Sequence, residues 1–130
     1  MDVLFRSDAS VDIGFGHLMR SVALAECLQS HGGRVRFLLR EEAGVRRVLQ
    51  QARMPVTWLP PSAQQEAVEE AVRQAAEPWV VIDSYEQPQR QCEAARRAGA
   101  RVMVMDDLGG LGVEAQLLVN PNLDAKPSWY

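Results

Sequence analysis

Apolar positions along the chain follow two alternating rhythms. Short continuous runs rich in β-branched and aromatic side chains occupy residues 2–6 (DVLFR), 34–40 (RVRFLLR), 55–59 (PVTWL), 79–83 (WVVID), 101–106 (RVMVMD) and 116–120 (QLLVN), and they predict six strands. Between them, Leu18, Val22, Ala25 and Leu28 recur at helical spacing across residues 17–30, and residues 42–51, 63–75 and 88–97 also read as helices. Breakers fall where helices should stop or start: Gly32 and Gly33 follow the first, Pro60 and Pro61 precede the third, and Gly99 follows the fourth. The order is therefore βαβαβαβαββ. Strands that alternate with helices pair in parallel through right-handed crossovers, and continuous apolar strands suit a sheet covered on both faces. The expectation is an α/β fold, a Rossmann-like doubly wound parallel sheet in the order 3-2-1-4-5-6. At 130 residues the chain supplies one core, so residues 1–130 are read as one domain.

Composition and charge narrow the function classes. Apolar residues make up 47% and charged residues 24%, which fits a folded globular chain. A net charge of -3 with no basic run lacks the electrostatic footprint of a nucleic-acid binder. No apolar stretch approaches the roughly 18 residues of a membrane span, and Arg6, Ser7 and Asp8 interrupt the N-terminus too early for a signal peptide. Cytoplasmic residence, with no membrane partner, is expected. Cys27 and Cys92 lack CxxC spacing, and His31 lies one helical turn beyond Cys27 with no further ligand. Both thiols are expected to be buried, with no metal and no cofactor.

In a doubly wound sheet, ligands meet the carboxyl ends of the strands near the switch point between strands 1 and 4. Polar residues gather there: Asp8 and the loop through Gly14, Gly16 and His17 after strand 1, then Asp83, Ser84 and Tyr85 after strand 4. Asp106 and Asp107 follow strand 5, and Asn120 and Asn122 follow strand 6. Gly14 and Gly16 supply two glycines of a dinucleotide fingerprint, but the third small position falls at Met19 and the first glycine comes well after the strand. Strand 2 also ends in Leu39 and Arg40 without a well-placed acidic ribose clamp, so NAD or FAD binding is not expected. A long glycine-bearing excursion into a helix instead turns backbone N–H groups toward a phosphate or a developing anion. His17 opens that helix, and Arg20, three residues on, shares its face. An uncharged imidazole in that position accepts a proton from water, although a histidine that only caps or packs there has the same spacing. Asp83, Asp106 and Asp107 are expected to hydrogen-bond loop backbone instead of holding a metal.

The stretch VLFRSDASVDIGFGHLMRSVALAECL, residues 3–28, closely resembles the N-terminal signature of the hydrolases that cleave UDP-2,4-diacetamido-2,4,6-trideoxy-β-L-altropyranose in pseudaminic acid biosynthesis. The resemblance continues more loosely through VVIDSYEQP, VMVMDDLGG and AQLLVNPNL, and so runs the length of the chain in order. It implies the N-terminal half of a two-domain fold of the glycosyltransferase B type, in which a C-terminal domain, expected to be missing here, mainly holds the uridine nucleotide. Matched residue by residue, it makes His17 the catalytic histidine and Tyr85 an active-site tyrosine. Gly14 and Gly16 then shape the loop, with Asp8 and Arg20 in supporting substrate-binding roles. Ser84 and Glu86 depart from the family, which typically has histidine and glycine there.

The implied reaction is hydrolysis of a UDP-sugar at the anomeric carbon, with inversion and with water as acceptor. UDP is a good leaving group, so the site needs a base for the water and charge stabilisation for the pyrophosphate more than it needs an acid. His17 suits the first need; the glycine loop and Arg20 are expected to help with the second. The implied partner is the UDP-sugar, and the isolated domain is expected to turn it over poorly. Two other classes fit the same residues: a glycosyltransferase of this architecture, with His17 deprotonating an acceptor hydroxyl, and a non-catalytic half-domain that binds a partner.

Overall fold

Alternation along the strands decides which helices cover which face. In β1 (Asp2–Ser7), Val3 and Phe5 point to one side, and the parallel partner β2 (Arg34–Arg40) places Val35 and Phe37 beside them in register. The Phe5 and Phe37 rings stack with centroids 4.9 Å apart. Leu18, Val22 and Ala25 of α1 (Gly16–Ser30) and Val45 and Leu49 of α2 (Val45–Gln51) close over this face. On the opposite face Leu4 and Leu38 join Val80 and Ile82 of β4 (Trp79–Asp83) and Val102 and Val104 of β5 (Arg101–Met105). That half of the core is covered by Val68 and Val72 of α3 (Gln64–Gln74) and by Cys92 and Ala95 of α4 (Pro88–Arg97).

The computed structural model describes residues 1–9 and 14–130. With β3 (Val56–Leu59) and β6 (Leu117–Val119), the six strands lie in the order β3-β2-β1-β4-β5-β6, and every adjacent pair is parallel. Helices on both faces make this a Rossmann-like doubly wound sheet, with the switch point between β1 and β4. Among the described residues no helix is long and apolar enough to cross a membrane.

Element ends differ from expectation by a few residues at most, for local reasons. Helix α2 starts at Val45 and not at residue 42, because Gly44 takes a left-handed φ of 82°. A side chain at Gly44 would also meet the Phe15 ring, 3.1 Å from the Cβ position. Strand β5 stops before Asp106, whose side chain turns back to bond the following loop. Cys92 is buried as expected but Cys27 is exposed. Two positions beyond the buried Ala25 is about 200° round a helix, so Cys27 faces outward.

Candidate functional site

Strand pairing creates the centre of the site. Because β4 lies beside β1 with Ser7 opposite Asp83, the last residue of β4 ends up under the first turns of α1. The Ser7 and Ser21 hydroxyls bond at 2.7 Å and fasten α1 to the end of β1. Asp83 is fully buried, and its backbone carbonyl accepts the Asp8 N–H at 3.0 Å. His17 is 6% exposed and stands one turn before Ser21 on the same face. Among the described residues no side chain caps the N-terminus of α1, and the positive end of the helix lies beside this histidine.

Two α1 side chains converge on the Asp83 carboxylate. His17 Nδ1 lies 2.5 Å from Asp83 Oδ1. Arg20 embraces the same carboxylate in a fork, Nε to Oδ2 and Nη2 to Oδ1. Its remaining terminal nitrogen, Nη1, donates to Asp107 Oδ2 at 3.0 Å. Arg20 Nη2 also comes within 3.1 Å of His17 Nδ1. A guanidinium only donates, so this approach follows from the oxygen they share. In an uncharged ring the proton therefore sits on Nδ1, facing Asp83, and the lone pair is left on Nε2.

Tyr85 completes the group. Its ring meets the His17 ring edge-on, with centroids 4.5 Å apart and planes at 86°. The hydroxyl donates to Asp107 Oδ1 at 3.0 Å, and the backbone N–H donates to Asp8 Oδ2 at 2.6 Å. At 49% exposure Tyr85 is no core tyrosine; its ring is presented at the surface. Burial and the hydrogen bond to Asp107 push its phenol above the ordinary value, so at neutral pH it is a proton-bearing donor. Burial alone would raise Asp107, but the Arg20 and Tyr85 hydrogen bonds outweigh it and hold the carboxyl below its usual range. The Arg20 guanidinium is pushed up, chiefly by its hydrogen bonds to Asp83.

Of the residues singled out in the sequence, His17, Arg20, Tyr85 and Asp8 meet in this network. Gly14 has a φ of 84°, where only glycine is unstrained, whereas a Cβ at Gly16 meets nothing within 4 Å among the described residues. The backbone N–H groups expected from the loop fall largely on residues 10–13, outside the described residues. Asp106 does what was expected of all three aspartates, accepting the Gly109 and Leu111 N–H groups at 3.0 and 2.9 Å. Asp83 and Asp107 correct that expectation, because their carboxylates go to His17, Arg20 and Tyr85 instead. Arg20 has three nitrogens engaged by two carboxylates and so ties α1 to the ends of β4 and β5.

At the positions that depart from the resembled family, Ser84 Oγ accepts the Glu86 N–H at 3.0 Å and the Gln91 amide at 3.1 Å, which shapes the turn into α4. Glu86 is exposed and pairs with Arg40 at 3.4 Å. Two clefts flank Tyr85, of about 430 Å³ toward α3 and α4 and about 420 Å³ toward the loop after β5, and neither counts His17 among its walls. The candidate site is therefore defined by the side-chain network and not by either cleft. No protein-family model matches the chain, and no curated protein matches it.

Proposed function

We propose that this domain supplies the catalytic side chains of a UDP-sugar hydrolase. The observation that carries the reading is the His17–Asp83 contact at 2.5 Å, a histidine oriented by a buried carboxylate at the sheet's switch point. The resemblance of residues 3–28 to the pseudaminic acid hydrolases supplies the substrate class, a UDP-linked diacetamido-trideoxy sugar. It also supplies the division of labour: a second domain holds the uridine nucleotide and this one brings the base.

In this reaction a water oxygen attacks the anomeric carbon as its bond to the β-phosphate oxygen breaks. The bonding pair leaves with UDP, and the water proton passes to His17 Nε2. Asp83 holds the ring in the tautomer that leaves Nε2 free and stabilises the imidazolium as it forms. Arg20 fixes Asp83 from the other side. Tyr85, fixed by Asp107 and by its backbone bond to Asp8, can orient the water or a sugar hydroxyl beside the imidazole.

The test is to turn over the UDP-sugar in heavy-oxygen water, using the complete enzyme in which this domain is joined to its nucleotide-holding partner. Release of unlabelled UDP with the heavy oxygen on the sugar is the expected result. Label in the phosphate would mean attack at phosphorus and would overturn the reading. UDP release only when an acceptor alcohol is added would replace it with the glycosyltransferase.

A further inference from the structure

The opposite face of the sheet holds a cation, Arg6, that has no ion-pair partner among the described residues. The alternation of β1 sends Arg6 to the α3 and α4 side, after Leu4, where a further apolar side chain would continue the core. Arg6 Nη1 donates to the Leu38 carbonyl at 2.8 Å, and among the described residues the side chain makes no other hydrogen bond and no ion pair. A guanidinium carries five N–H donors, and a cation drawn out of water without a counter-charge is costly. Burial accordingly pushes the Arg6 guanidinium below its ordinary value.

Arg6 lines the cleft of about 430 Å³ between the sheet and α3 and α4, within the size range of small-molecule sites. Val80 and Ile82 line it on the sheet side, Gln64 and Gln65 come from α3, and Arg90 and Gln91 come from α4. The one carboxylate among its walls, Glu86, is engaged by Arg40 at 3.4 Å, whereas Arg90 makes no ion pair among the described residues. Gln91 donates its amide to Ser84 and Glu86, while its buried Oε1 has no partner among the described residues. Carboxamides both donate and accept, as hydroxyl groups do, and a guanidinium fork matches a carboxylate or a phosphate.

We propose that this cleft binds a small anionic carbohydrate, a sugar phosphate or sugar acid, whose oxyanion pairs with Arg6 and whose hydroxyls meet Gln64 and Gln65. The cleft borders the ring of Tyr85, but its cation and amides come from the face of the sheet opposite His17, and the titration below reads binding without turnover, so its outcome is separate from that of the hydrolytic reading. NMR titration of the nitrogen-labelled chain with glucose 6-phosphate, glucuronate and uncharged glucose tests it. At least one of the two anions should shift the Arg6 Nε–H together with the Gln64 and Gln65 side-chain signals, glucose should not, and the anion that acts identifies the source. Arg6→Gln should weaken that binding at least about tenfold, the effect of losing a charge-assisted hydrogen bond. Should Arg6→Gln fail to fold, the shift of Arg6 itself in the unaltered chain decides the matter. Silence with both anions, an equal response to glucose, or a folded Arg6→Gln that binds as before would overturn the proposal.

Discussion

At the residue scale, Asp83 is the side chain on which the site depends. It is fully buried and holds both His17 and Arg20, so converting it to a neutral amide removes one partner of a buried pair and leaves the other charge behind. Removing one partner of a fully buried pair costs about 3–5 kcal/mol, and because Arg20 is partly exposed and keeps Asp107, Asp83→Asn should lose about 2–3 kcal/mol in urea unfolding. The same substitution should release His17 from its single tautomer, which nitrogen NMR of the imidazole reads directly. A spectrum unchanged from the unaltered chain would mean that Asp83 does not orient the ring. This role was hidden in the sequence because an aspartate at a strand end can serve loop backbone or a side chain, and Asp106 does the former. The signal available was the expected strand order, which places the end of strand 4 beside the helix that carries His17 and Arg20.

At the element scale, Arg20 and Asp107 tie α1 to the end of β5, and Tyr85 hangs from the same carboxylate. Asp107 is held below the ordinary carboxylate value of about 3.9. Its contribution to stability is therefore complete above that value and is lost as the pH falls through the depressed one, where the unfolded chain binds the proton more readily. Asp107→Asn should flatten the acid limb of a stability profile and leave the slope above pH ~5 unchanged; an acid limb as steep as before would contradict this. It should also lower the titration of one of the two tyrosines toward its ordinary value, as followed by ultraviolet absorbance. Tyr85→Phe keeps the ring against His17 and removes only the hydroxyl. Its effect on stability should stay below about 1 kcal/mol for a half-exposed hydrogen bond. Turnover should fall less than with loss of the histidine; an equal fall would make Tyr85 the principal acid or base.

At the scale of the whole molecule, most of the fold was legible in the sequence. Most strands of this sheet, covered on both faces, are largely apolar runs, and glycines and prolines mark the joints. Even β6, only three residues long and reached by an irregular crossover from β5, was marked by its Leu117–Val119 run. Less of the site was legible, because its residues lie far apart in sequence and the carboxylates that join them look alike until the strands are placed. His17 and Arg20 could be read from helical spacing and Tyr85 from the sheet edge. Arg6 could not, since a charged residue ending an apolar strand reads as solvent-facing until the alternation of β1 is fixed.

The central claim is that His17 is the base, and turnover by His17→Asn in the complete enzyme tests it most directly. Asparagine is tolerated at a helix start and can still donate to Asp83, so the fold should hold, but it cannot take a proton from water. The rate constant kcat should fall about 10²- to 10⁴-fold while substrate affinity changes little. Near-normal turnover in a folded His17→Asn enzyme would contradict the account and leave His17 a structural residue at the helix start.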